Sequence, residues 1–240
     1  MKKFTHLVLV VCLAVTACQK EISFETPGAN NASGGSNGGS TGGGSSTADC
    51  KACVYMPVCN GSYYTYFDTL YTSASLVTDT FRFVKDTTID SKTFTAIYSP
   101  LTGSVSYYNC TDGATRLVAY NVGTAGGSTV KAADITFLKA NLSVGATWQD
   151  KLTNPIGQEV TYKSKIIEKG ITRTLNGQTF TDVIHTTQET GVEVTGFGFT
   201  AVTTSDYYFA KGVGLIETIA KENTGGSVYQ HRVIKSYYIP

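Results

Sequence analysis

The sequence predicts an all-β protein with few or no helices. Its 240 residues include 15 Tyr and 11 Phe, and only 15% of them are charged. Aromatic and β-branched side chains suit the pleated, half-buried surface of a sheet. Short runs of these residues also alternate with turn residues along the chain, which is the pattern of successive strands. The length suits one large β domain or two small ones.

Five runs in the first half have the composition of strands: Tyr63–Phe67, Thr80–Val84, Thr93–Tyr98, Val105–Tyr108 and Arg116–Tyr120. Asp112-Gly113 lies between the last two and is a type I′ hairpin signal. Val160–Ile167 alternates in polarity, which predicts a strand with one wet face. Lys131–Asn141 is compatible with either a short helix or a strand.

An internal similarity suggests how the strands are organised. Asp90–Ile97 resembles Asn176–Val183, and each segment is followed by a Tyr-Tyr pair, Tyr107-Tyr108 and Tyr207-Tyr208 respectively. Two matches in the same order support the hypothesis of duplicated hairpin units.

The first residues predict export and a lipid anchor. Lys2 and Lys3 precede an apolar run, Leu7–Val15, that is too short to cross a bilayer comfortably, so residues 1–17 are predicted to be a signal peptide. The end of this segment, Val15-Thr16-Ala17-Cys18, resembles the lipobox of bacterial lipoproteins. That resemblance implies that Cys18 carries diacylglycerol and that the new N-terminus is acylated. The alternative is an ordinary secretory signal with Cys18 near its end.

The predicted order after the leader is tether, linker and body. Residues 18–27 form the lipidated tether, residues 28–48 a disordered Gly/Ser-rich linker with a root-mean-square span of about 25 Å, and residues 49–240 the β-rich domain. Gln19 differs from the Asp that retains enterobacterial lipoproteins at the inner membrane, so the outer membrane is predicted. Lys20-Glu21 loosely resembles the export tag of surface lipoproteins in Bacteroidota. Exposure to the periplasm and exposure to the medium both stay open.

Four cysteines of the mature chain predict two disulfides: Cys50, Cys53, Cys59 and Cys110. Three pairings are possible and the sequence does not choose among them. We favour one bridge within the stapled start, residues 50–59, and one that reaches Cys110. A redox role for Cys50-x-x-Cys53 is disfavoured because no helix is predicted after it to lower the thiol pKa. A zinc site is disfavoured because Cys110 stands alone and not in a second close pair. A Kazal-type inhibitor, which Pro57–Gly61 also resembles, needs further cysteines nearby.

The charge balance disfavours a nucleic-acid partner. Because the 19 basic residues include Lys2 and Lys3, loss of the leader leaves 17 of them against 18 Asp and Glu. Gly212-x-Gly214 is followed by a strand-like segment and not by a helix, so it does not predict a phosphate site. The sequence therefore predicts no cofactor and no nucleic-acid binding.

Catalytic signatures are sparse. His185 and His231 lie in strand-like runs, where we expect surface or hydrogen-bonded strand residues, and not a pair of metal ligands. Gly-x-Ser-x-Gly occurs only within the Gly/Ser-rich linker, where no strand-to-helix elbow is predicted, and no His-Glu-x-x-His motif occurs. The carboxylates are scattered and no acid–base pair is assigned: Asp68, Asp79, Asp86 and Glu189. No catalytic residue and no metal site are predicted.

The second half carries a resemblance that bears on architecture. Leu142–Trp148, Asn176–Ile184 and Tyr207–Glu217 look like a series found in uncharacterised, β-rich lipoproteins of Bacteroidota. The resemblance covers roughly residues 140–240. It implies a strongly curved antiparallel sheet, an open half-barrel, but no activity. Trp148, the only tryptophan, is expected to be a core anchor.

These observations predict a membrane-anchored envelope protein that acts as a non-enzymatic binding or structural module. In the leading hypothesis, the concave face of the sheet, rich in Tyr and Phe, binds an apolar or extended ligand such as a lipid, glycan or peptide. The alternatives are a hydrolase acting on surface polysaccharide or peptide, and a structural subunit of an outer-membrane assembly. The oligomeric state stays open.

Overall fold

The structure, a computed structural model, describes residues 53–122, 129–154 and 157–240. The predicted leader, Cys18, the tether, the linker and Cys50 lie outside these ranges. The described residues form twelve strands and no helix. They contain no helical stretch with the length and hydropathy needed to cross a bilayer.

The strands have the following bounds. The first six are β1 (Tyr63–Leu70), β2 (Ser75–Ile89), β3 (Lys92–Tyr98), β4 (Val105–Thr111), β5 (Ala114–Val122) and β6 (Thr129–Lys139). The last six are β7 (Thr147–Thr153), β8 (Glu159–Leu175), β9 (Gln178–Val194), β10 (Gly198–Ala210), β11 (Gly214–Glu222) and β12 (Val228–Tyr238).

All twelve strands belong to one sheet with the order β6-β5-β4-β3-β2-β1-β12-β11-β10-β9-β8-β7, and every pair is antiparallel. The two edge strands, β6 and β7, lie beside each other. The sheet therefore curls into a nearly closed barrel. The predicted all-β class and strongly curved antiparallel sheet are confirmed. The sheet curves further than the predicted open half-barrel and almost closes.

The strand predictions hold in detail. The five runs of the first half lie within β1 to β5, and Val160–Ile167 lies within β8. Lys131–Asn141, for which helix and strand were both open, is largely strand β6. Asp112 and Gly113 join β4 to β5 with φ angles of 51° and 73°, the left-handed values that a type I′ turn requires.

The sheet consists of two meanders of six strands, β1–β6 and β7–β12, which follow each other in the same direction around the barrel. Asp90-Ser91 joins the second and third strands of the first half, and Asn176-Gly177 joins the second and third strands of the second half. Tyr107-Tyr108 and Tyr207-Tyr208 both lie on the fourth strand of their half. The internal similarity thus falls on equivalent positions, which supports the duplication hypothesis.

The N-terminal segment Cys53–Ser62 closes one end of the barrel. Its Met56 and Val58 are buried in the main hydrophobic core. A disulfide joins Cys53 to Cys110 of β4, with 5.8 Å between the Cα atoms, and so attaches this segment to the sheet. Cys59 is also disulfide-bonded, and its partner lies outside the described residues. The long-range bridge is the one that the cysteine spacing favours.

Candidate binding site inside the barrel

Aromatic rings fill the concave face of the sheet. Because side chains alternate along a strand, every second residue of each strand faces the interior. Phe137 of β6 lies at the centre of these rings. Its centroid is 4.9 Å from that of Tyr207, 5.3 Å from that of Phe209 and 6.2 Å from that of Tyr108, each in an edge-on arrangement. Rings from distant strands therefore meet across the barrel.

A cavity of about 70 Å³ adjoins Tyr108 and is lined by other aromatic rings of the interior. Its apolar lining includes Phe81, Phe83, Ile97 and Leu215. Its volume exceeds that of a few water molecules but is well below the roughly 300–1,000 Å³ of ordinary small-molecule sites. A larger ligand must displace side chains to enter.

The tyrosine hydroxyls of the interior stay neutral. Burial raises the pKa of Tyr66 well above its ordinary value, and burial likewise raises the pKa of Tyr108. The Tyr66 hydroxyl donates to the backbone oxygen of Leu215 at 2.8 Å. The interior therefore offers apolar rings and little free charge.

One ion pair lies at the border of the cavity. Arg232, which lines the cavity, faces Asp68 across the β12–β1 pairing. Its Nη2 and Nε donate to Asp68 Oδ2 at 2.6 and 3.1 Å, and Gln230 Nε2 donates to both carboxylate oxygens. The guanidinium carbon also lies 5.0 Å from the ring centroid of Phe81. The positive charge is thus already matched.

A short hairpin borders the same cavity. β3 and β4 have 7 residues each, whereas the equivalent strands of the second half, β9 and β10, have 17 and 13. Ser104 and Ser106, at the start of β4, line the cavity. Ser99 Oγ donates to the buried Asp79 carboxylate at 2.8 Å, which holds the β3–β4 turn against β2.

The four carboxylates considered in the sequence analysis lie in different surroundings. Asp68 and Asp79 are buried and engaged as described, while Asp86 accepts a hydrogen bond from Thr95 Oγ1 at 2.7 Å. Glu189 is exposed on β9. The structure shows no acid–base pairing among these four.

His185 and His231 lie on the outer wall of the barrel, in a cluster that the sequence did not reveal. His185 Nε2 lies 3.1 Å from Asp206 Oδ1, and its Nδ1 lies 3.4 Å from Glu168 Oε2. Its ring stacks on Tyr208 with 4.3 Å between centroids. Hydrogen bonds from His185 and Lys221 hold the pKa of Asp206 below its ordinary value.

The second histidine belongs to the same wall. His231 Nε2 lies 2.9 Å from Oε1 of the buried Glu217, which also accepts a hydrogen bond from Arg173. The Arg173 guanidinium packs over the Tyr208 ring at 4.2 Å, and Asn176, at the β8–β9 turn, donates to Ile234 O. These contacts attach the tip of the β8–β9 hairpin to the wall formed by β10, β11 and β12.

This outer cluster has the bonding of a structural ion-pair network. Within the described ranges, neither histidine is hydrogen-bonded to a hydroxyl or thiol, and no group of three or more metal-ligating side chains could hold a metal ion. Both histidines are hydrogen-bonded strand residues, as the sequence predicts. Strand membership was predictable for His185, Glu217 and His231, but the strand order that brings them together was not.

No protein-family model and no curated protein matches the chain. Three solved structures are similar. An inferred exported protein with a YmcC-like fold from Bacteroides fragilis covers 78% of this chain and 99% of its own, with a TM-score of 0.46 and 11% identity. An inferred lipoprotein from Parabacteroides distasonis covers the same shares, with a TM-score of 0.44 and 10% identity. An inferred outer-membrane lipoprotein-sorting protein domain from Vibrio parahaemolyticus covers 80% of this chain and 90% of its own, with a TM-score of 0.32 and 10% identity.

The Bacteroides protein is described as exported and the Parabacteroides protein as a lipoprotein, which agrees with the predicted resemblance to β-rich lipoproteins of Bacteroidota. The similarities have identities of 10–11% and TM-scores below 0.5. They identify neither a ligand nor an activity for this chain.

Proposed function

We propose that this protein is an envelope lipoprotein, anchored to the outer membrane through Cys18, whose barrel interior binds the apolar part of a ligand without catalysis. The observation that carries the proposal is the aromatic-lined cavity between Phe83, Ile97 and Leu215. An interior of this kind is unusual for a purely structural domain, because a well-packed core leaves few voids larger than a water molecule.

The lining favours an alkyl chain over a glycan or a peptide. A glycan or peptide needs many polar partners, because each unpaired polar group costs free energy on burial. The charged groups at the border of the cavity, Arg232 and Asp68, already satisfy each other. An alkyl chain needs no hydrogen bond, and each buried methylene contributes about 0.8 kcal/mol.

Equilibrium titration of the intact chain tests this proposal. The protein is exported with Cys18→Ser, so that it stays soluble without detergent and forms its disulfides. Calorimetry and native mass spectrometry then compare stearate with an oligosaccharide and an extended peptide. We expect saturable 1:1 binding of stearate alone.

A matched pair of variants locates the ligand. Ser106→Phe places a ring in the cavity, while Val105→Phe places the same ring on the opposite face of β4. We expect Ser106→Phe to weaken stearate binding at least 10-fold and Val105→Phe to leave it unchanged. Equal effects, or no stearate binding by the parent protein, would contradict the proposal.

A second candidate function rests on a different surface. Consecutive turns of a meander alternate between the two ends of a barrel, so the β1–β2, β3–β4 and β9–β10 turns lie at the end opposite Cys53–Ser62. Large apolar side chains are exposed at or next to these turns: Tyr71, Leu76, Leu101, Val194, Phe197 and Val202. Phe197 is 86% and Leu76 is 68% exposed. Exposed apolar side chains at one end of the barrel favour a role as a subunit of an envelope assembly.

Cross-linking in native membranes tests the second candidate. Partners captured by the parent chain should be lost with Phe197→Ser and Leu76→Ser, and should be kept with Val84→Ser, which changes an exposed residue in the body of β2. Capture that is equal in all three variants would reject it.

A further inference from the structure

The barrel has one line along which no backbone ladder joins its strands. β6 pairs only with β5, and β7 pairs only with β8, although β6 and β7 lie beside each other. We call this line the β6–β7 seam. Sheet edges expose backbone donors and acceptors that need other partners. At Thr136 of β6 these partners are side chains of β7.

Thr136 of β6 makes three hydrogen bonds across the seam. Trp148 Nε1 donates to Thr136 O at 2.7 Å, and the backbone N–H of Thr136 donates to Asp150 Oδ2 at 2.9 Å. The Thr136 hydroxyl donates to Asp150 Oδ1 at 3.3 Å. Beyond the end of β6, Lys169 Nζ donates to Ala140 O and Leu142 O. The seam is therefore closed by a few side-chain bonds.

We call the hydrogen bonds of Trp148 and Asp150 to Thr136 the latch. The next residue along β6, Phe137, is the central ring of the interior. The β5–β6 register shifts so that Arg116 faces Thr136 and Thr115 faces Leu138, which leaves Phe137 as the unpaired residue of a β-bulge. Phe137 contacts Tyr108, and Tyr108 lines the cavity. Movement of Phe137 away from Tyr108 would connect the seam with the cavity.

The two ends of the barrel are poorer routes for an apolar chain. Met56 and Val58 of the N-terminal segment are packed into one end. Towards the other end, the Arg232–Asp68 ion pair borders the cavity. An alkyl chain that passed this half-buried ion pair would strip it of its remaining water, which is costly.

We propose that the β6–β7 seam is a lateral gate through which an alkyl chain reaches the interior, with Phe137 as the plug. The inference rests on the proposed function. Opening the gate breaks the bonds of Trp148 and Asp150 to Thr136 and leaves every backbone ladder of the sheet intact. The ligand class is a single alkyl chain, carried by a free fatty acid or by a lipid.

The test uses Trp148, the only tryptophan of the chain, as a reporter at the gate. The intact chain with Cys18→Ser is mixed with dibromostearate, whose bromines quench tryptophan emission on contact, and the rate of quenching is recorded. A second arm presents phospholipid vesicles with brominated chains, which distinguishes a lipid source from a free fatty acid.

The decisive variant carries Thr136→Cys and Asp150→Cys. Without a linker the Asp150 bonds to residue 136 are absent, while the Trp148 bond to the backbone oxygen of that residue remains, and we expect quenching to be at least 5-fold faster than in the parent. After the two thiols are joined by a short bifunctional linker, we expect the rate to fall at least 10-fold below that of the parent. The unlinked form of the same protein shows that the variant folds and binds.

A matched control places the linker across the ladder-paired strands, between Tyr63→Cys of β1 and Tyr238→Cys of β12, which face each other in the register. This linker should leave the rate unchanged. Equal rates in the linked and unlinked β6–β7 variant would overturn the gate while leaving equilibrium binding, and so the proposed function, in place. Absence of binding in every form would instead overturn the proposed function.

Discussion

The barrel is closed at two topologically equivalent seams that use different chemistry. Each seam brings the last strand of one six-stranded half beside the first strand of the other. At β12–β1 the backbone pairs along the whole of Tyr63–Leu70, and the rings of Tyr63 and Tyr238 stack at 6.0 Å. At β6–β7 the backbone does not pair, and side chains of β7 bind Thr136 instead. Equivalent positions in the two halves are thus joined by different kinds of hydrogen bond.

The connection between the strands explains part of the difference. β12 and β1 lie far apart in the described chain, so no short connection keeps them close, and a backbone ladder joins them. β6 and β7 are joined by the short segment 140–146, which keeps them close without a ladder. The β-bulge at Phe137 also disrupts the regular spacing of β6. The β6–β7 seam is therefore free to use a few replaceable bonds.

The largest stability effect is expected from Phe137→Ala. Removal of this buried ring should lower the free energy of unfolding by about 3–5 kcal/mol, because three aromatic contacts are lost and a cavity remains. The control, Tyr63→Ala at the other seam, removes a partly exposed stacked ring and should cost under about 1.5 kcal/mol. Urea denaturation measures both, and a smaller effect for Phe137→Ala than for Tyr63→Ala would break the comparison.

A smaller effect is expected from Asp150→Ala. The substitution leaves the backbone N–H of Thr136 without its acceptor and should cost about 1–3 kcal/mol. Thr65→Ala on β1 removes a hydroxyl contact with Thr80 at 3.0 Å but keeps the ladder, so we expect a loss of under about 1 kcal/mol. The same denaturation assay compares them, and equal losses would show that the two seams do not differ in this respect.

Trp148→Phe sharpens the comparison further. It keeps a ring in the core but removes the bond to Thr136 O, and should cost about 0.5–1.5 kcal/mol. Because Trp148 and Asp150 both bind Thr136, the double variant should deviate from additivity by at least about 0.5 kcal/mol. Strict additivity would mean that the two side chains do not act as one latch.

The smallest effect comes from a site in neither seam. The pKa of Asp206 is lowered by its hydrogen bonds to His185 and Lys221. Its contribution to stability is therefore present above the ordinary aspartate pKa of about 3.9 and is lost as the pH falls through the lowered value. Asp206→Asn should cost under about 1 kcal/mol at neutral pH. The difference in the free energy of unfolding between Asp206→Asn and the parent should vanish in acid. Denaturation curves between neutral and acidic pH measure it, and a difference that stays constant would contradict this account.

The strands were predictable because local pattern determines them. Tyr63–Phe67 and Thr93–Tyr98 carry the aromatic and β-branched composition of strands, and Asp112-Gly113 can adopt the left-handed φ values that a type I′ turn needs. Lys131–Asn141 was ambiguous because it has both the alternating polarity of a strand and several helix-forming residues. In the structure it pairs with β5 and is therefore a strand.

The site was less predictable because it depends on contacts between distant strands. A Tyr- and Phe-rich concave face follows from composition and alternation, but the cavity depends on how the rings pack across the barrel. The roles of Trp148 and Asp150 at the seam could not be predicted, because they depend on β7 being an edge strand beside β6. The cluster of His185 and His231 likewise depends on sheet order, which local pattern does not encode.

Amide hydrogen exchange tests the central claim most directly, because it compares the two seams within one unmodified protein under native conditions. We predict that peptides covering residues 136–150 of β6, β7 and their connection exchange through local opening, at least 10-fold faster than peptides covering Tyr63–Leu70 and Val228–Tyr238. Equal or slower exchange in residues 136–150 would show that the β6–β7 seam is as firmly closed as the ladder between β12 and β1, and would contradict the account.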